Sequence, residues 1–527
     1  MKRTLLCITS ILCVAIAMAQ TDSFEEFKKA QRAEYNQFKK DRQAEFDAFR
    51  KQVNAEYAKM MRERWQPVET QPAIQEPEVP KIAPVVCEEP QPDTIQQQDT
   101  VRQPDTVVLP KKDTIDRIAV KRDTIAVQPI KQPVKIAIQA VPVIIPVPEP
   151  APEPIAPVVE PKEENFLTES VLFYGTKIAL HYPASATFRL AGISEKQLSA
   201  AWTQLSNKSY DVLVSSALNA RKQYNLCDWA YIEYLQAAME KHWGKTNEAI
   251  FAQAYLLTQS GYRVRLAKDN NQLYLLVASN YNLFNRMSLT VDGRKFFVVN
   301  GNPKSVQVCP SLYEKEKTIS MQIASPLQLA LKKTDTRHLV SKMGLAADVC
   351  VNKNLIDFYN AYPRSYINDD VTTTWATYAN TPLEKQVKDI LYPAIRTSIK
   401  DMSERDAVNK ILNWVQTAFA YEYDDKVWGG DRAFFATETL YYPYCDCEDR
   451  AILFSRLVRD IVGAEVVLLY YPGHLAAAVH FKDEVKGDYL QFNKKKYIVC
   501  DPTFIGAGVG RTMPGMDNQK AKVILLQ

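Results

Sequence analysis

Between Pro67 and Glu164 the chain carries proline so often, and glycine not at all, that neither a helix nor a central strand can be laid through it. The same stretch is rich in Gln, Val, Ile and charge, and Asp-Thr-Ile or Asp-Thr-Val recurs at Asp93, Asp99, Asp105, Asp113 and Asp123. Such a composition predicts an extended, disordered linker, reaching roughly 300 Å at about 3.1 Å per residue. Everything that folds must therefore fold on either side of it. Five parts of the 527-residue chain follow: 1–19, a helix over 20–66, the linker 67–164, an α+β domain over 165–335 and a second α+β domain over 336–527.

The first part, Met1-Lys2-Arg3 followed by an apolar core from Leu5 to Ile16 and then Ala17-Met18-Ala19, has the three regions of a signal peptide. Cleavage is expected after Ala19; a lipoprotein reading at Cys13 has the larger Leu12 before it. The protein is thus expected to be exported, to a bacterial periplasm or cell surface. No later stretch holds the roughly 18 continuous apolar residues of a membrane span. A formal net charge of +4 gives no reason to expect a nucleic-acid partner.

Residues 22–65 repeat every eleven: Phe24 and Phe27, Tyr35 and Phe38, Phe46 and Phe49, Tyr57 and Met60. Eleven residues make three turns, so these pairs lie on one face of a charged helix of roughly 65 Å at about 1.5 Å per residue. That stripe needs a partner. Self-association into a coiled bundle and docking on an envelope protein both satisfy it.

In 165–335, Asn247 to Ser260 reads as a helix ending at Gly261, followed by strands at 262–266, 273–278, 287–291 and 295–299 with Asp292-Gly293 as a hairpin turn. Further on, 382–400 and 404–420 read as helices, the first kinked at Pro393. Next comes Asp446-Cys447-Glu448-Asp449-Arg450-Ala451, and an apolar run from Ile452 to Val462 that ends at Gly463. Asp446 is a fitting N-cap, which places Cys447 on a helix N-terminus, where partial positive charge and unpaired N–H groups favour a thiolate. Strands 464–471 and 474–481 follow, and after a second hairpin the strand 497–501. Pairing of 497–501 antiparallel to 474–479 would bring Asp501 beside His474, leaving the other imidazole nitrogen for the thiol.

The segments Asp446-Cys447-Glu448-Asp449-Arg450-Ala451, Tyr471-Pro472-Gly473-His474 and Cys500-Asp501-Pro502-Thr503-Phe504, with the upstream Ile411-Leu412-Asn413-Trp414-Val415 and Tyr423-Asp424, resemble the transglutaminase-like family of papain-like cysteine enzymes. The likeness spans roughly residues 380 to 515. It implies a papain-like α+β core and thiol attack on an amide of a protein or peptide substrate, through a thioester acyl-enzyme and with no cofactor. Cys447 would be the nucleophile, His474 the general base and then acid, and Asp501 the orienting group. Peptidase or amidase action is expected over cross-linking. The alternative is a non-catalytic envelope adaptor that binds protein or cell-wall peptide.

Other assignments compete at this level. Cys445 is a second thiol near the helix start, and His480 shares a strand face with His474. Cys445, Cys447, His474 and Cys500 have the donors for zinc, and Cys445 with Cys500 those for a disulfide. The order helix, glycine, strand at 249–266 also echoes that at 451–468, with Lys245 in the nucleophile's place, as in a degenerate copy.

Overall fold

The computed structural model describes residues 2–75, 142–143, 151–155, 166–184, 187–309, 315–430 and 432–527, with side chains from residue 28 onward outside 142–143. Most of the predicted linker, including its Asp-Thr repeats, lies outside these residues. The remainder is mixed helix and sheet, as the sequence predicts. Among the described residues no helix is long and apolar enough to cross a membrane.

Helix α1 runs Lys2–Met61. Its repeat divides into two regimes. Tyr35, Phe38, Phe46 and Phe49 are exposed, whereas Val53, Tyr57, Met61 and the following Trp65 are buried. The last unit is docked on the helices Glu195–Leu205 and Asn247–Gln259: Tyr57 stacks on Trp202 at 5.2 Å, and Asn54 Oδ1 accepts from Trp202 Nε1 (3.1 Å) and Gln259 Nε2 (2.7 Å). Arg50 adds an ion pair to Asp211 at 2.6 Å. The helix is therefore seated on the globular part by its own C-terminal end. Residues 66–69, expected as the helix end and the start of the tether, are instead the strand β1 (Gln66–Glu69). Its single proline, Pro67, sits on a sheet edge, where a missing N–H is tolerated.

Two six-stranded sheets make up the body. The first contains β1, β3 (Val264–Asp269), β4 (Gln272–Ala278), β5 (Ser288–Val291), β6 (Arg294–Val298) and β7 (Ser305–Val308), in the order β1-β7-β3-β4-β6-β5. Helix α2 (Asn247–Gln259) precedes β3 and packs on it. The second contains β2 (Pro142–Val143), β8 (Glu465–Tyr471), β9 (His474–His480), β10 (Tyr489–Phe492), β11 (Lys495–Cys500) and β12 (Lys522–Leu525), in the order β2-β12-β8-β9-β11-β10. Here helix α4 (Cys447–Leu457) precedes β8, and α3 (Glu404–Thr417) packs on α4. The two sheets correspond strand for strand. Registers agree as well: Tyr471 faces His474 as Asp269 faces Gln272. Gly463 (φ 78) and Gly261 (φ 91) end the two helical runs at the same distance ahead of these pairs. The outer edges differ only in sense, β1 being antiparallel to β7 and β2 parallel to β12.

Local chemistry explains the second unit. Ser403 caps α3 by accepting from the Asp406 N–H, and its apolar stripe Val408, Ile411, Leu412, Val415 faces the core. The α4 run leaves through a π-type turn at Val458–Val462 and stops at Gly463, whose left-handed backbone favours glycine. Strand β9 is a central strand, and its Ala476, Ala477 and Ala478 are fully buried. Their small side chains admit close layers on both sheet faces.

Candidate active site

Cys447 is the first residue of α4, as expected from the Asp446 cap, and the Asp446 N–H is held by Asp449 Oδ2 at 3.2 Å. The residue is half-buried, and the nearby Leu475 backbone N–H favours its anion. Leu475 follows His474 directly, so the thiol and the imidazole occupy one corner of the molecule. No spacing rule alone would have set that contact.

His474 is buried at the start of β9 and Asp501 just past the end of β11. Strand β11 pairs antiparallel with β9, Cys500 facing Ala477, which carries Asp501 towards His474 as the sequence predicts. Asp501 Oδ2 lies 2.8 Å from His474 Nε2. The other oxygen, Oδ1, accepts from the Thr503 and Phe504 N–H groups at 2.8 and 3.2 Å. Both carboxylate oxygens are thus committed, and the imidazole plane is set by the Asp501 contact and by Tyr471, whose ring stacks near it at 6.1 Å. Nδ1 of His474 is buried and has no hydrogen-bond partner among the described residues. It is the nitrogen left over for a proton in transit.

Two buried side chains that sequence reasoning missed hold this arrangement. Gln416, on the last turn of α3, donates from Nε2 to the carbonyls of Asp501 (3.0 Å), Phe504 (2.9 Å) and Ala507 (3.0 Å), and its Oε1 accepts from the Gly506 N–H at 3.2 Å. Arg450, on α4, donates to the carbonyls of Gln416 (3.2 Å) and Phe419 (2.8 Å) and lies over the Tyr421 ring. Together they lock the loop that carries Asp501 to the helix that carries Cys447. Gln416→Met keeps the volume but strands three carbonyls and an N–H. It is expected to lower unfolding free energy by about 3 kcal/mol, measured by urea titration, since each buried group left unpaired costs about 1–3 kcal/mol.

The electrostatics around Cys447 run against the expected helix effect. Burial comes first, then the charges of Glu448 and Asp446, and together they push the thiol well above its usual range. Cys447 Sγ lies 3.0 Å from Glu448 Oε2, with the thiol as donor. Asp446 and Asp449 are buried beside Asp424, and burial with mutual repulsion raises both carboxyls. Asp449 accepts from the Phe434 N–H at 2.7 Å and Asp424 from the Arg432 N–H at 2.8 Å. The helix terminus offers a positive end, but these acids and the loss of water outweigh it. The nearest charged neighbour of the sulfur is thus a carboxylate, Glu448, which opposes its ionisation.

The competing assignments separate on geometry. Cys445 is buried, its sulfur donating to the Ala420 carbonyl, and burial pushes its thiol up to about 11. Cys500 donates to the Ile498 carbonyl. Both are free thiols, and the zinc set is not assembled among the described residues. Strand β10 lies outside β11, not between it and β9, and His480 bonds to the Lys496 carbonyl at 2.9 Å, away from the thiol. Comparison with protein-family models, with curated proteins and with solved structures finds no match for this chain.

Proposed function

We propose that this chain is an exported cysteine enzyme of the transglutaminase-like kind, acting on amide bonds of a protein or peptide through a thioester, with hydrolysis favoured over amine transfer. The observation that carries the reading is the His474 imidazole, fixed through Nε2 to Asp501 and partnerless at Nδ1 among the described residues, directly before Leu475, whose N–H lies near Cys447. In the proposed reaction Nδ1 takes the Sγ proton and the sulfur attacks the carbonyl carbon. The tetrahedral oxyanion is stabilised by the positive end of α4. Collapse breaks the C–N bond, and Nδ1–H gives its proton to the departing amine. Water then enters, losing a proton to Nδ1 as it attacks the thioester, and the carboxylic acid leaves as Cys447 is reprotonated. No cofactor enters these steps. The leader-like residues 1–19 carry the export reading, and the exposed Tyr35, Phe38, Phe46 and Phe49 offer a surface for self-association or an envelope partner.

One observation favours the adaptor instead: the Cys447 sulfur lies 3.0 Å from the Glu448 carboxylate, which disfavours a thiolate. The two readings part on iodoacetamide labelling of the full chain, followed by peptide mass spectrometry. An enzyme is expected to label at Cys447 faster than at Cys350 below pH 7, and at least about tenfold slower after His474→Ala. Labelling at Cys447 that ignores His474 would sink the enzyme and leave the adaptor. Release of dye from labelled casein, against incorporation of a fluorescent primary amine into it, then separates hydrolysis from transfer.

A further inference from the structure

The first sheet repeats the second in more than strand order. Each unit is a helix, a left-handed glycine and a strand hairpin in one register, and the same interval in sequence separates Gly261 from Gly463, Asp269 from Tyr471 and Gln272 from His474. The first residue of each helix lies beside the same strand position. In the first unit the N–H of Leu273, which follows Gln272 as Leu475 follows His474, donates to Asn247 Oδ1 at 2.8 Å; in the second the Leu475 N–H is near enough to Cys447 to favour its anion. Gln272 opens β4 as His474 opens β9, and its Nε2 donates to Asn247 Oδ1 at 3.3 Å. Beyond the end of β6, Asn300 donates to the Leu273 carbonyl at 3.1 Å and accepts from the Leu275 N–H at 2.7 Å. Val298 of β6 faces Leu276 as Val499 of β11 faces Ala478, and Asn300 follows Val298 at the spacing at which Asp501 follows Val499.

We infer that residues 247–300 carry a second, silenced copy of the site, in which the amides of Asn247, Gln272 and Asn300 stand for the thiol, imidazole and carboxylate of Cys447, His474 and Asp501. The inference rests on the proposed function for the meaning of the second unit's triad. Lys245, which the sequence register put in the nucleophile's place, precedes the helix. The run from Cys447 to Gly463 is longer than that from Asn247 to Gly261, and the π-type turn at Val458–Val462 takes up part of the excess. Side-chain amides neither ionise nor form thioesters, so this copy turns nothing over. They do hydrogen-bond at each position, although Gln272 is exposed where His474 is buried and Asn300 holds the Leu273 and Leu275 backbone rather than the Gln272 side chain. Freed from catalysis, the unit serves as the seat of α1.

The test restores the chemistry in place. In a Cys447→Ala background, the thiol introduced by Asn247→Cys is labelled with iodoacetamide at pH 6.5, with and without Gln272→His, beside the native Cys447 with and without His474→Gln. Gln272→His is expected to speed labelling at position 247 at least fivefold, as about 1 kcal/mol of thiolate stabilisation requires. No acceleration, while His474→Gln slows Cys447, overturns the copy and leaves the proposed function standing. If neither pair responds, both fall. The reciprocal variant, Cys447→Asn with His474→Gln and Asp501→Asn, reads the same claim through stability and does not depend on refolding of the graft. It is expected to melt within about 5 °C of the wild type, and a fall of more than about 15 °C overturns the equivalence.

Discussion

Asp501→Asn is expected to lower kcat on an amide substrate by on the order of 10³ to 10⁴ while leaving the fold intact. The carboxylate accepts from Nε2, which keeps the His474 proton on that nitrogen and leaves Nδ1 able to take one. An asparagine at 501 can turn its NH₂ towards Nε2. The ring then carries its proton on Nδ1, where the base should be, and the thiol cannot be deprotonated. The Thr503 and Phe504 N–H groups still find an oxygen, so stability should move little. A check is kcat against thermal melting on the same preparations: a large loss of rate with a shift of only a few degrees is the expected pair. Equal kcat in Asp501→Asn and wild type would remove Asp501 from the mechanism.

The opposite sign is expected at Glu448. Glu448→Gln should raise the rate of Cys447 labelling at pH 7 about tenfold, moving its pH profile to lower pH. A carboxylate 3.0 Å from the sulfur opposes the thiolate, and one unit of pKa corresponds to about 1.4 kcal/mol. The remaining groups that face the thiol are Asp446 and the phenols of Tyr421 and Tyr423; in the proposed mechanism His474 is the base. Asp449 and Asp424 stand behind Asp446. Linkage fixes the companion sign. A thiol whose folded pKa lies above its unfolded value stabilises the fold below the unfolded value, and this contribution is lost as pH rises through the folded one. Wild type should therefore lose stability in the alkaline limb, and Glu448→Gln should lose less. Stopped-flow labelling and pH-dependent urea midpoints measure the two effects separately; a Glu448→Gln profile that overlays wild type would mean the carboxylate does not hold the thiol.

Much of the candidate site was legible because its signals are local. The cap at Asp446, the stop at Gly463 and the period-two strands fix where Cys447 and His474 sit on their elements. Pro502 marks the strand end that carries Asp501. What stayed hidden depends on contacts between distant segments. Gln416 reaches residues 85 to 91 positions away, and nothing in Trp414-Val415-Gln416-Thr417 marks it as other than a helix end. Glu448 and Asp449 read as first-turn acids that suit the helix dipole yet oppose a thiolate; what the sequence does not show is the rotamer that brings Glu448 Oε2 within 3.0 Å of Sγ. The helices Lys353–Ala361 and Thr373–Asn380 are short; the first carries an apolar face of Leu355, Ile356, Phe358 and Tyr359, while the second opens on Thr373 and Thr374, β-branched residues that weaken a helix signal. Seating of α1 was hidden for a different reason. An eleven-residue repeat predicts one uniform face, yet its last unit alone meets Trp202.

The two short strands β1 and β2 come from the proline-rich stretch, one on the outer edge of each sheet. An uncovered edge presents a row of free N–H and C=O groups on which another chain can grow. A chain trimmed to the compact C-terminal domains would leave both rows bare, whereas the intact one brings its own covering strands. Two short pieces of the proline-rich stretch thus cover sheet edges that would otherwise be open to another chain.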